Sequence, residues 1–134
     1  MNFEELKEKR NISSEFGKYL GMYCEELKLG EAVVSLKVND NMHNRINSVH
    51  GGVLFSLCDQ ACGTACATHF NNHVTLDASI HYLRPAINSK VLIAKAKEIK
   101  YGHNIAVYKV FVYDDANTEI CYGTFSYSII EKDI

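Results

Sequence analysis

Residues 44–69 read NRINSVHGGVLFSLCDQACGTACATH. His50-Gly51-Gly52 opens a run of about eighteen residues with helical apolar spacing. Leu54, Leu57, Ala61 and Ala65 recur at three- and four-residue intervals and form one face. On the opposite side stands a single acid, Asp59. Its neighbours there are Phe55, Ser56, Cys62 and Gly63, with Gly52 and Cys66 two turns away. One face is suited to a sheet. The other, mostly small, is suited to the close approach of another backbone at the acid. An acid in the middle of an otherwise apolar helix needs a reason, and chemistry is the reason this pattern points to.

The helix start supplies a second chemical element. Gly51-Gly52 lies where the first amides have no intrahelical acceptor. Those N–H groups, with the helix dipole behind them, can polarise a carbonyl or hold an anion. Eight residues separate Gly51 from Asp59, ~12 Å along a helix. Reacting groups must lie within about 3–3.5 Å of each other. Asp59 therefore cannot act on a carbonyl held by its own Gly51. It can act on one held by a second copy whose helix runs antiparallel across a two-fold axis, so a catalytic motif here requires at least a dimer.

Upstream, residues 2–10 predict a short charged helix capped by Asn2. Ser13 or Ser14 caps a second short helix that ends near Gly21. Residues 22–29 and 31–38 predict two strands joined at Gly30. Residues 40–48 are polar and turn-rich, a loop that delivers Asn44 and His50. Asn71-Asn72 is the expected end of the central helix. Downstream, Thr75, Asp77, Ser79 and His81 alternate with Leu76, Ala78, Ile80 and Tyr82, a period of two. Arg84-Pro85 breaks that strand. Residues 91–100, 105–113 and 120–130 complete a set of six strands, with a turn at residues 101–104. One long helix and six strands without βαβ alternation predict an α+β fold, an antiparallel sheet wrapped around the helix.

The remaining composition narrows the class. The chain has 134 residues, 47% hydrophobic and 22% charged, which suits one domain with a real core. A net charge near −2 gives no basis for nucleic-acid binding. No apolar run reaches the ~20 residues needed to span a bilayer, so no membrane partner is expected. The first ten residues are too charged for a signal peptide. Five cysteines without metal-type spacing are expected to be reduced thiols in a cytoplasmic protein. Cys58, Cys62 and Cys66 repeat every four residues near His69. Cysteine is by default a small core residue, so packing is the expected role and no metal is expected. His43, His73, His81 and His103 are expected to be surface or strand residues. Gly-x-Ser-x-Gly and P-loop motifs are absent, which argues against serine-nucleophile hydrolysis and nucleotide hydrolysis.

The order Asn44, His50-Gly51-Gly52, Asp59, Thr75, followed by Tyr82-Leu83-Arg84-Pro85-Ala86, resembles the hotdog-fold acyl-CoA thioesterases of the phenylacetic-acid-degradation (PaaI-like) type. The similarity covers roughly residues 14–130. It implies a single hotdog domain over residues 1–134, with short helices in 1–21 and the core in 22–134. It implies hydrolysis of an acyl-CoA thioester to a carboxylic acid and free coenzyme A. By the resemblance, the Gly51 amide polarises the thioester carbonyl and His50 holds that end of the site. Asp59 of the other subunit is general base or nucleophile, and Asn44 and Thr75 position the water or the acid. Relatives often carry Ser where this chain has Thr75. Coenzyme A, part of the substrate, runs along Tyr82, Arg84 and Pro85 and along Lys100, Gly102 and His103. The family uses no metal or redox cofactor. Its dimers share active sites and usually pair into tetramers. Two rival expectations stand beside hydrolysis: a hotdog enoyl-CoA hydratase or dehydratase, and a non-catalytic acyl-CoA binding protein.

Overall fold

The computed structural model describes residues 1–131. In chain order the elements are α1 (Phe3–Ser13), α2 (Glu15–Leu20), β1 (Met22–Lys28), β2 (Glu31–Lys37), a 3-10 turn (Asp40–Met42), α3 (Gly51–Ala67), β3 (Asn72–Tyr82), β4 (Val91–Tyr101), β5 (Ile105–Tyr113) and β6 (Glu119–Glu131). The strands form one antiparallel sheet in the order β1-β2-β4-β5-β6-β3. Its concave face wraps α3, the α+β architecture expected from the chain.

The core lies between α3 and the inward rows of the sheet. Leu36, Leu92, Tyr108, Val110 and Phe125 meet Leu57, Cys58, Ala61 and Ala65, all fully buried. The expected two-faced helix is corrected here: α3 is buried nearly all round from Leu57 to Ala67. The small residues beside Asp59 do not admit another backbone. They make room for side chains of the same chain, since a Cβ at Gly63 would meet His73 Nε2, Arg10 Nη2 and the Tyr127 ring. The five cysteines are buried and unpaired, as packing predicts; the Cys58 and Cys121 sulfurs lie 4.0 Å apart.

Local chemistry fixes the ends of the elements. Asn2 caps α1 by accepting from the Glu5 amide, and the helix runs three residues past the expected end. Ser14, rather than Ser13, caps α2 by accepting from the Gly17 amide; Gly21 closes it at φ 80°. α3 stops at Ala67, four residues before Asn71. Thr68 Oγ1 donates to the Ala65 carbonyl, and the next two amides turn back with i−3 bonds. Asn71 is buried beneath this turn, donating to the Cys66 carbonyl and to Tyr101 Oη.

The sharpest departure from the expected pattern is in β3. A strict period of two would send Thr75 to the same face as Asp77, Ser79 and His81. The pairing with β6 runs Thr75↔Tyr127 and then Asp77↔Ser126, so Leu76 is an extra residue in a β-bulge. The bulge shifts the phase, and Thr75 joins Ala78 and Ile80 on the helix side. Lower down, β3 and β6 approach closely. A Cβ at Gly123 would press on the Ser79 carbonyl oxygen and lie 3.2 Å from Ile80 Cα. Gly123→Ala must push the two strands apart. It is expected to cost about 1–3 kcal/mol, the scale of overpacking, read as a lower midpoint in denaturant unfolding.

Candidate active site

Two separate constellations flank α3. The first is at its start. His50 is the N-cap, and its Nδ1 accepts the Gly52 amide at 2.8 Å. That leaves the Gly51 amide with no acceptor among the described residues, while the Gly51 carbonyl accepts from Tyr82 Oη at 2.9 Å. Asn44 builds the approach: its Oδ1 accepts the Ile46 and Ser48 amides, and its own amide donates to the Ser48 carbonyl. Val49 N–H donates to the Ala86 carbonyl and His50 N–H to the Met42 carbonyl, pinning the loop against residues 84–87. The result is a cleft of about 250 Å³ lined by Asn44, Gly51, Leu54, Tyr82, Arg84 and Pro85, among others. Arg84 is exposed and donates one Nη1 hydrogen bond to the Glu119 carbonyl. A second hollow, on the outer side of the loop, is formed by Asn44, Arg45, Ile46 and His50.

The second constellation surrounds Asp59, which is half-buried. Its Oδ1 accepts from Thr75 Oγ1 and from Tyr127 Oη, each at 2.8 Å. Oδ2 has no hydrogen bond among the described residues. The two donors sit directly opposite each other in the β3–β6 ladder and so share a face, and the bulge at Leu76 is what brings Thr75 rather than Leu76 opposite Tyr127. Burial pushes the Tyr127 hydroxyl far above the ordinary phenol range, so it remains a proton donor. Behind Tyr127, Arg10 of α1 donates to Thr64 Oγ1 and its guanidinium pKa is lowered by burial. His73 bonds Asn71 Oδ1 and is pushed down to about 4 by burial, with the Arg10 charge adding to the shift.

Residues 46–121 match the family model described as Thioesterase superfamily. The chain belongs to that superfamily. The solved structure of Escherichia coli PaaI, from the phenylacetic acid degradation operon, superposes with a TM-score of 0.88 at 28% identity, covering 96% of this chain and 99% of that one. The fold is thus the hotdog fold. The acyl-coenzyme A thioesterase PaaI of E. coli is 36% identical over 93 residues, covering 69% of this chain and 66% of that protein. The chain thus spans about two thirds of that relative's length. A hypothetical thioesterase protein of Streptococcus pneumoniae, solved with coenzyme A, has a TM-score of 0.79 at 29% identity, covering 84% of this chain and 88% of that one.

Within the single chain the expected site residues fall into three groups. Asn44, His50, Gly51, Tyr82, Arg84 and Pro85 gather at the start of α3. Asp59 and Thr75 meet each other, but Thr75 and Tyr82 are seven strand residues apart, ~23 Å. Lys100 is the penultimate residue of β4, and Gly102 and His103 lie on the β4–β5 turn that follows. The ladder places that turn at the Thr75–Tyr127 end of the sheet, away from the Gly51 cleft. Tyr127 was missed by sequence reasoning. Its signal was present: on β6 it continues the inward row Cys121, Phe125, and a hydroxyl in such a row needs a partner.

Proposed function

We propose that the protein hydrolyses an acyl-CoA thioester at a site shared by two copies of the chain. The observation that carries this reading is the division of labour along α3. Asp59 has one carboxylate oxygen held by two hydroxyls and the other open. The unpaired Gly51 amide stands eight residues away at the positive end of the same helix. Neither half completes a hydrolytic site alone.

A second copy supplies the missing half. β3 is the sheet's edge and, among the described residues, pairs only with β6, and it exposes apolar side chains, Val74 at 51% and Leu76 at 55%. Antiparallel pairing of β3 with β3 of a second copy would cover these residues and satisfy the open edge. It would set Asp59 of one chain opposite the Gly51 turn of the other. Arg84 of one copy and Lys100, Gly102 and His103 of the other would then line one path for coenzyme A and its phosphates. The coenzyme-A-bound S. pneumoniae neighbour and the acyl-coenzyme A thioesterase relative support the substrate class.

The chemistry follows. Asp59 takes a proton from water as the water oxygen bonds to the acyl carbon. The carbonyl oxygen gains the negative charge and meets the Gly51 N–H and the helix dipole. Collapse of this adduct breaks the C–S bond, and the proton held by Asp59 goes to the departing thiolate. In the nucleophilic variant, Oδ2 itself bonds to the acyl carbon and the C–S bond breaks to release the thiolate; water then cleaves the mixed anhydride, regenerating the Asp59 carboxylate, and the proton released goes to the thiolate. Both routes yield a carboxylic acid and free coenzyme A.

Thiol release from a panel of saturated short, medium, long and aromatic acyl-CoAs tests the proposal, with an enoyl-CoA run in parallel. Enzyme-dependent thiol from a saturated substrate is the expected result. Hydration of the enoyl-CoA without thiol would replace the proposal with a hydratase. A ligand-induced rise in melting temperature without turnover would replace it with a binding protein.

A further inference from the structure

We infer that Tyr127 is a positioning residue which, together with Thr75, occupies Oδ1 of Asp59 and makes Oδ2 the reacting oxygen. This rests on the reading of Asp59 as base or nucleophile and adds to it which atom reacts and what aims it.

The geometry has three parts. Tyr127 is buried, 1% exposed, on the inward row of β6. Its ring is fixed by an edge-on contact with His73 at 5.1 Å and another with Tyr108 at 6.0 Å, and its Cε1 lies 3.8 Å from the Cβ position of Gly63. Its hydroxyl reaches both Oδ1 at 2.8 Å and the Asp59 main-chain carbonyl at 2.9 Å. One hydroxyl proton thus faces two acceptors, of which the ionised oxygen is the stronger. Thr75 adds a second donor to Oδ1 from an exposed position on β3. A carboxylate oxygen with two short donors on it has little room for a third partner. Its twin, with none among the described residues, is the oxygen left open to a water or an acyl carbon. The two donors also fix the carboxylate rotamer, so Oδ2 keeps one direction.

The charged and titratable groups around this pair come from four elements: Arg10 from α1, Cys62 and Cys66 from α3, His73 from β3 and Tyr108 from β5. Half-buried Arg10 and His73 belong to the region behind the ring. Neither bonds the carboxylate, so the hydroxyls of Thr75 and Tyr127 are its only direct donors among the described residues.

Tyr127→Phe keeps the ring and deletes the proton. The expected result is a fall in kcat of about 10- to 100-fold, the scale of losing a hydrogen bond to a charged group, with KM within about twofold. A purely structural role would lower the melting temperature and leave the kcat of the folded enzyme unchanged. Thr75→Ala removes the other donor from an exposed site and must lower kcat in the same way, again with KM within about twofold. It carries the test should Tyr127→Phe fail to fold. An unchanged kcat in either folded variant overturns the inference. Asp59→Asn separates this failure from failure of the underlying reading. A fully active Asp59→Asn sinks the reading itself, whereas an inactive one beside a wild-type-like Tyr127→Phe sinks only the role of Tyr127.

Discussion

Asp59→Asn will fold as the wild type does and lose about 10²–10⁴-fold in turnover, the range that a positioned general base supplies. The structure explains both halves of this result. The asparagine carbonyl oxygen can accept the same two hydroxyls, from Thr75 and Tyr127, that Oδ1 accepts now. The amide nitrogen then takes the place of Oδ2, which has no hydrogen bond to lose among the described residues, so the packing of α3 against β3 and β6 survives. What disappears is a lone pair able to take a proton from water or to attack an acyl carbon. Melting temperature and gel-filtration volume should match the wild type while thiol release collapses. Wild-type turnover in this variant would remove Asp59 from the chemistry.

The elements of the site differ in how far the chain betrayed them. Asp59 was conspicuous because an acid among small and apolar residues on a helix conflicts with the pattern around it, and such conflicts mark sites. Gly51 was legible because backbone rules alone leave a helix's first amides unpaired. The meeting of Thr75 with Asp59 was legible only through family resemblance, since the period of two argued the opposite. The bulge at Leu76 is a feature of pairing between strands, and no property of residues 72–82 by themselves announces it. Tyr127 was hidden for a related reason. It lies 68 residues from Asp59, and only the β6 register brings the two together. The end of α3 was misjudged because a threonine side chain, rather than the asparagines, closes it. Local grammar thus announced the helix and its acid, whereas whatever depends on register had to wait for the sheet.

Gly51→Pro tests the other half of the site, and with Asp59→Asn it tests the sharing. Proline suits the first position of a helix, where its missing N–H breaks no intrahelical bond. His50 already has the extended backbone that a following proline requires, at φ −59° and ψ 137°. Its ring would press on the Tyr82 ring, 3.3 Å from the Cβ position, and that side chain is half exposed and able to yield. The substitution therefore removes the amide donor and shifts the Tyr82 ring, whose hydroxyl bonds the Gly51 carbonyl. Losing an oxyanion donor costs about 10²–10³-fold in kcat. Each single variant should then be nearly inactive. Unfolded together in equal amounts and refolded, they should form heterodimers in about half the population. Each heterodimer carries one site with both Gly51 and Asp59 intact and one with neither. Activity should return to about a quarter of wild type, because half the dimers hold one good site of two. If each chain housed its own complete site, mixing two dead proteins would restore nothing. Recovery on mixing, against none in either protein refolded alone, is the result that a site divided between chains demands.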